Sequence, residues 1–297
     1  MRRLLAAAFA LLLSAPACAQ GAIRPALFVM RDADSTIYLF GTVHVRRPGA
    51  PWGGPEAVAA LAQSQTVRTE IEMSPEADAR AAAQVQQIGM AGPNDPLSSH
   101  LTPQQNVRVA AALAAMDVRP DTLEAMRPWY AGLVLSMLPI MRAGYDPAAG
   151  VDRQIDAAAD AQQKQMRWFE TSAQQLNFIA GLSAPLQVEM VMEGVGAVDE
   201  GVAQLGELER AWEEGDLDKL ERFVVEETRQ EFPELYQALF VARNHAFVEV
   251  LSQDMAGAGS EFVAIGAGHL LGPDGVIALL RARGFAVERV NEGLGGQ

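Results

Sequence analysis

Two short stretches at opposite ends of this 297-residue chain share one design, and the rest of the chain has to bring them together. Near the C-terminus, Glu261–Ile265 is apolar and β-prone, which predicts a buried strand. It runs into Gly266-Ala267-Gly268, where glycine allows backbone angles closed to other residues, and His269 follows at once. Near the N-terminus, Thr36–Phe40 runs into Gly41-Thr42-Val43-His44 in the same way. Open α/β sheets place functional groups just past the carboxyl ends of their strands, which is where both histidines fall. The pattern predicts one sheet that presents two imidazoles.

The remaining segments fit around that sheet. Ala26–Arg31 and Thr36–His44 flank the turn-rich Asp32–Ser35, an antiparallel hairpin signal. Thr66–Glu72 alternates as a strand with Glu70 and Glu72 on one face, and Met166–Phe169 reads as another short strand. Pro273 and Asp274 open a helix ending at Gly284, and Phe285–Val290 predicts a last strand. Between the ends lie mainly helices. Thr102-Pro103-Gln104-Gln105 is a capping-box start, Trp129–Met141 reads as a buried core helix, and Pro185–Glu214 as one or two long helices. The expectation is an α/β fold whose sheet is built from the N- and C-terminal strand-Gly-x-x-His units, with a large helical insertion over about 100–260. It forms a single domain over 20–297.

Residues 1–19 are expected to be a signal peptide. Arg2 and Arg3 precede the apolar Leu4–Leu13, and Ala17-Cys18-Ala19 is a small-residue cleavage site. The expected product starts at Gln20 and is periplasmic or secreted; a lipoprotein acylated on Cys18 is the alternative. Cys18 is the only cysteine, so the mature chain has no thiol and any metal site must use histidine and carboxylates. A net charge of −14 argues against nucleic acid and anionic membrane as partners. No apolar run is long enough for a membrane span.

Two neutral imidazoles and a carboxylate make an open site for a divalent metal, which would polarise a carbonyl and lower the pKa of bound water. His44 and His269 are the candidate imidazoles. Glu70 and Glu72 are the candidate carboxylates, as third ligand or general base. Arg243 reads equally as a surface charge, an anchor for Glu70 or an oxyanion stabiliser. His100 and His245 are expected to be incidental, and Asp152 and Glu170 to be helix caps or supports of the site. The chain has no Gly-x-Ser-x-Gly elbow, Walker loop or HExxH, which removes support for serine hydrolase, P-loop and zincin chemistry.

Several stretches carry a resemblance. They are YLFGTVHV (38–45), TEIE (69–72), RPWYAGL (127–133), AGYDPAAGVD (143–152), FETSAQQL (169–176), ARN (242–244) and VAIGAGHLLGPDGV (263–276). Together, and in this order, they resemble the TraB/GumN family, which is related to the Tiki-type metalloproteases. The resemblance implies that both Gly-x-x-His histidines meet in one cleft. The matching positions are Gly41, His44, Glu70, Arg243, Gly266 and His269, and the family match selects Glu70 over Glu72. It also implies a metal-dependent hydrolase with Mn, Co, Zn or Fe on His44, His269 and Glu70, acting on a peptide or other exported substrate. The other expectations are a non-catalytic peptide-, haem- or metal-binding protein, or an accessory factor in envelope polysaccharide production. Two positions depart from the family pattern, Gln154 and Phe247.

Overall fold

The computed structural model describes residues 23–290. The expected leader at 1–19, with Cys18, lies outside the described residues. The chain enters on a hairpin, β1 (Leu27–Arg31) and β2 (Ser35–Thr42). Its turn is set by Asp32, whose Oδ1 accepts from the Asp34 and Ser35 amides at 3.1 and 2.7 Å. The other strands are β3 (Thr66–Thr69), β4 (Gln165–Trp168), β5 (Gly259–Gly266) and β6 (Val287–Arg289). They form one sheet in the order β4-β3-β5-β2-β1-β6. β2, β5, β3 and β4 run parallel, and β1 pairs antiparallel with both β2 and β6. The fold is therefore α/β with a mixed sheet and a large helical region.

The register explains why the chain ends matter most. β2 and β5, far apart in sequence, are the central pair, with Gly41 opposite Ile265 and Thr42 opposite Gly266. Being buried on both faces, they read as continuous apolar runs, and Leu39, Phe40, Phe262, Val263 and Ile265 are fully buried. A second apolar core lies in the helical region, around Leu113, Leu123, Leu135 and Val191. There the helices Pro128–Arg142 and Ala184–Glu214 lie against each other, a Cβ on Gly194 falling only 2.7 Å from Leu135 Cβ. The longer helix then reaches the sheet, where Trp212 Nε1 donates to the Gly41 carbonyl at 2.7 Å. Among the described residues no helix is long and apolar enough to cross a membrane.

Three local expectations need correction. The strand predicted over Thr66–Glu72 stops at Thr69. Thr69 Oγ1 donates to the Ile71 carbonyl, turning the chain, so Glu70 and Glu72 do not share a strand face. Glu70 goes into the interior, while Glu72 accepts from Ser74 and Arg80 near the surface. The two Gly-x-x-His segments also differ from each other. His44 sits in irregular chain beyond β2, whereas His269 lies in a helical turn, Ala267–Leu270, directly after β5. Nor do their glycines use special backbone angles: neither Gly41 nor Gly266 is among the positive-φ glycines. They act by having no side chain. A Cβ on Gly41 would meet Ala267 at 3.1 Å, so glycine lets the His269 turn close onto β2.

Candidate active site

His44 is placed by what packs on its backbone. The helix Val151–Ala161 docks through Val151 N, which donates to the Val43 carbonyl at 2.9 Å. Gly150 permits this approach, since a Cβ there would lie 2.4 Å from the His44 carbonyl oxygen. The docking brings Asp152, in the first turn, against the imidazole. Its Oδ2 is 2.9 Å from His44 Nδ1, and its Oδ1 accepts from Thr42 Oγ1. A carboxylate at a helix N-terminus is favoured by the helix dipole. Asp152 raises the His44 pKa above the ordinary histidine value, against the cost of removing the charge from water. The imidazole side chain is 68% exposed, so solvent screens this attraction.

Behind His44 the site is buried. Glu70 Oε1 accepts from the Gly266 amide at 2.7 Å, and Oε2 accepts from Gln175 Nε2 at 2.9 Å and Arg243 Nη2 at 2.5 Å. Burial alone would raise the Glu70 pKa; the surrounding positive groups and the Gly266 N–H overcome it and hold the carboxyl at about 2. With His269 depressed to about 4 by burial and uncharged at neutral pH, the cations that act on Glu70 there are His44, whose pKa Asp152 raises, and Arg243. His269 is 4% exposed and sits between Phe240 and Phe247, with ring centroids at 5.2 and 5.3 Å. Phe247 stacks in turn on Phe169 at 4.3 Å, which gives that departure from the family pattern a packing role. At the other departure, Gln154 Nε2 donates to the Ala149 carbonyl at 2.8 Å. Arg243 also donates to Glu170 through Nε, at 2.9 and 3.0 Å. It enters from a helix, Ala242–Met255, that follows a π-helical stretch, Gln237–Val241.

The structure thus brings His44, Glu70, Arg243, Gly266 and His269 together, with Asp152 behind His44 and Glu170 behind Arg243. A Cβ on Gly266 would lie 3.2 Å from Glu70 Oε1 and 3.3 Å from His44 Nε2, so glycine leaves room for those two atoms to face the same point. An open cleft of about 270 Å³ exposes His44 and Glu70 between Ile71, Met73, Pro147 and Arg153. Two larger hollows, about 490 and 420 Å³, lie against the helical region around Arg127 and Gln187 and touch none of these groups. His245 is exposed, and His100 pairs with Asp95 at 2.7 Å on the rim of one of those hollows. Thr42, Gln175 and Asn244 were not singled out from sequence. Each lies inside a motif that was noticed, but its partner is distant along the chain: Asp152, Glu70 and His269 respectively.

The donor set bears on a metal. His44 Nε2 and Glu70 Oε1 both lie beside Gly266, and His269 Nε2 is 3.8 Å from Glu70 Oε1. That nitrogen, however, is 2.9 Å from Arg243 Nη1. A guanidinium occupies the lone pair that a ligand would need, and it carries the same sign as the ion. Among the described residues no group of three histidine, cysteine or carboxylate side chains is arranged to hold a metal. The three-ligand set does not fit in this arrangement.

Comparison with known proteins places the chain in context. A model of the TraB/PrgY/gumN family matches residues 26–289. No curated protein and no solved structure matches the chain.

Proposed function

The chain belongs to the TraB/PrgY/gumN family, and on that premise we propose that it is an exported hydrolase of peptide-like acyl bonds in which His44, backed by Asp152, activates water. One observation carries the reading: an exposed imidazole that lines a cleft and is hydrogen-bonded through Nδ1 to a buried carboxylate, which leaves Nε2 free of that bond. A carboxylate on Nδ1 fixes the ring and strengthens Nε2 as a base. Water held at Nε2 gives up a proton as its oxygen bonds to the carbonyl carbon. The imidazolium then returns that proton to the leaving nitrogen as the C–N bond breaks. Glu70 accepts three hydrogen bonds and is held as the anion, so it serves as a fixed negative charge that favours the imidazolium rather than as the base. Apolar walls at Ile71, Met73 and Pro147 suit a substrate with apolar groups beside the scissile bond.

A metal-dependent version, with Mn, Co, Zn or Fe on His44, His269 and Glu70, competes with this reading. The converging His44 and Glu70 atoms favour it, and it requires Arg243 to leave His269. A peptide-library cleavage assay on the mature chain separates the two. Turnover that survives EDTA and falls by about 10²–10⁴-fold in His44→Ala supports the proposal. Turnover that needs added Mn²⁺ or Co²⁺, and is lost in His269→Ala with the fold intact, supports the metal version. Peptide binding without cleavage in any condition points to a sequestering protein and defeats both. Export is tested separately: N-terminal sequencing of the native protein should begin at Gln20, and lipid on Cys18 would make it membrane-anchored.

A further inference from the structure

We infer that Asn244 is a positioning residue that holds His269 as the Nδ1–H tautomer, so that its Nε2 serves as a hydrogen-bond acceptor for Arg243. The inference does not depend on the hydrolase reading, because it concerns the order of donors in the buried wall of the site. Both ends of the chain of hydrogen bonds are chemically fixed. At one end, Arg243 can only donate, and its five N–H groups are all engaged. Nε meets Glu170, Nη2 meets Glu70 and Glu170, and Nη1 meets the Leu239 carbonyl at 3.1 Å and His269 Nε2 at 2.9 Å. His269 Nε2 must therefore accept.

At the other end, the Asp274 carbonyl can only accept. Asn244 Nδ2 donates to it at 2.8 Å, which turns Asn244 Oδ1 toward the ring. That oxygen is 2.6 Å from His269 Nδ1, so Nδ1 carries the hydrogen. Glu70 Oε1, at 3.8 Å, is too far to accept from Nε2 and does not compete. Asn244 is 1% exposed and His269 4%, so water does not offer an alternative partner to either. An imidazolium would point a second hydrogen at the guanidinium, consistent with the depressed pKa of this ring.

The consequence is a division of labour between the two Gly-x-x-His histidines. His44 lines the cleft and, in the proposed reaction, exchanges protons there. His269 orients Arg243, and through it Glu70, and has no lone pair left for an ion or a substrate.

The test is imidazole ¹⁵N NMR on histidine-labelled full-length protein at neutral pH. The chain has four histidines, and His→Gln variants at His44, His100 and His245 assign the signals. The expected result is a protonated Nδ1 and a bare Nε2 for His269, the reverse of the tautomer that free imidazole side chains favour in water. Asn244→Asp keeps an acceptor oxygen and should keep the pattern, whereas Asn244→Ala should lose it. Added Zn²⁺ should leave the His269 Nε2 resonance in place. A protonated Nε2 in the wild type, an unchanged pattern in Asn244→Ala, or a Zn²⁺-dependent shift of that Nε2 would each overturn the inference. If Asn244→Ala does not fold, the wild-type spectrum and the Zn²⁺ titration decide.

Discussion

At the scale of single residues, the site contains two imidazoles tuned in opposite directions. Asp152 pushes His44 up, while burial among aromatic rings pulls His269 down to about 4. If His44 is the base, kcat/KM rises with pH through a value above 6.5, because only the neutral ring accepts a proton. Asp152→Asn removes the main raising influence and should move that limb toward acid while lowering the maximum. A pH–rate profile that does not move would exclude His44 as the base. His269 acts on stability. Its folded pKa of about 4 lies below its ordinary 6.5, so between these values the unfolded chain binds a proton that the folded protein rejects. Stability therefore falls as pH drops from 6.5 to 4, by up to about 3 kcal/mol. Glu70 behaves as a depressed acid: its contribution is present above 4.5 and lost as pH falls toward 2. His269→Gln should flatten the first part of this decline in urea denaturation series; an unchanged slope between pH 7 and 4.5 would refute the assignment.

At the scale of elements, close approach through glycine sets the geometry. The helix Val151–Ala161 can reach the His44 loop only because Gly150 has no Cβ to strike the His44 carbonyl, 2.4 Å from where it would lie. Gly150→Ala must push that helix outward, and overpacking of this kind costs about 1–3 kcal/mol. More tellingly, it should separate Asp152 from His44 and return the His44 pKa toward its ordinary value, which NMR titration of its ring protons would follow. A variant that loses stability but keeps a raised His44 pKa would show that the helix does not govern the dyad. Gly266→Ala acts on the other side, with a Cβ 3.2 Å from Glu70 Oε1 and 3.3 Å from His44 Nε2. We expect kcat/KM to fall more than thermal stability does, because the displaced atoms belong to the cleft rather than to the core.

At the scale of the molecule, one long helix ties the two apolar cores together. Ala184–Glu214 supplies Val191 to the helical core and Trp212 to the sheet core. Leu135→Ala empties fully buried space in the helical core and should cost about 2–5 kcal/mol in denaturant unfolding. His44 should keep its raised pKa, because the groups that set it are held by the sheet and the helix after Gly150. Collapse of that pKa in a folded Leu135→Ala protein would show that the helical region shapes the site directly.

The apolar runs of β2 and β5, the hairpin at Asp32–Ser35 and the capping box at Thr102 were legible because each depends on residues adjacent in the chain. His44, Glu70, Arg243 and His269 were singled out by two repeated motifs and a family pattern, and the structure places them side by side. What each group does depends on partners 25 to 173 residues away in sequence: Asn244 for His269, Asp152 for His44, Arg243 for Glu70. Local propensity carries no record of such pairings. Only the packed structure decides that one histidine faces water beside a carboxylate while its counterpart is buried against a guanidinium. Dielectric environment and the direction of a neighbour's hydrogens, properties of the assembled site, give two identical side chains opposite protonation behaviour.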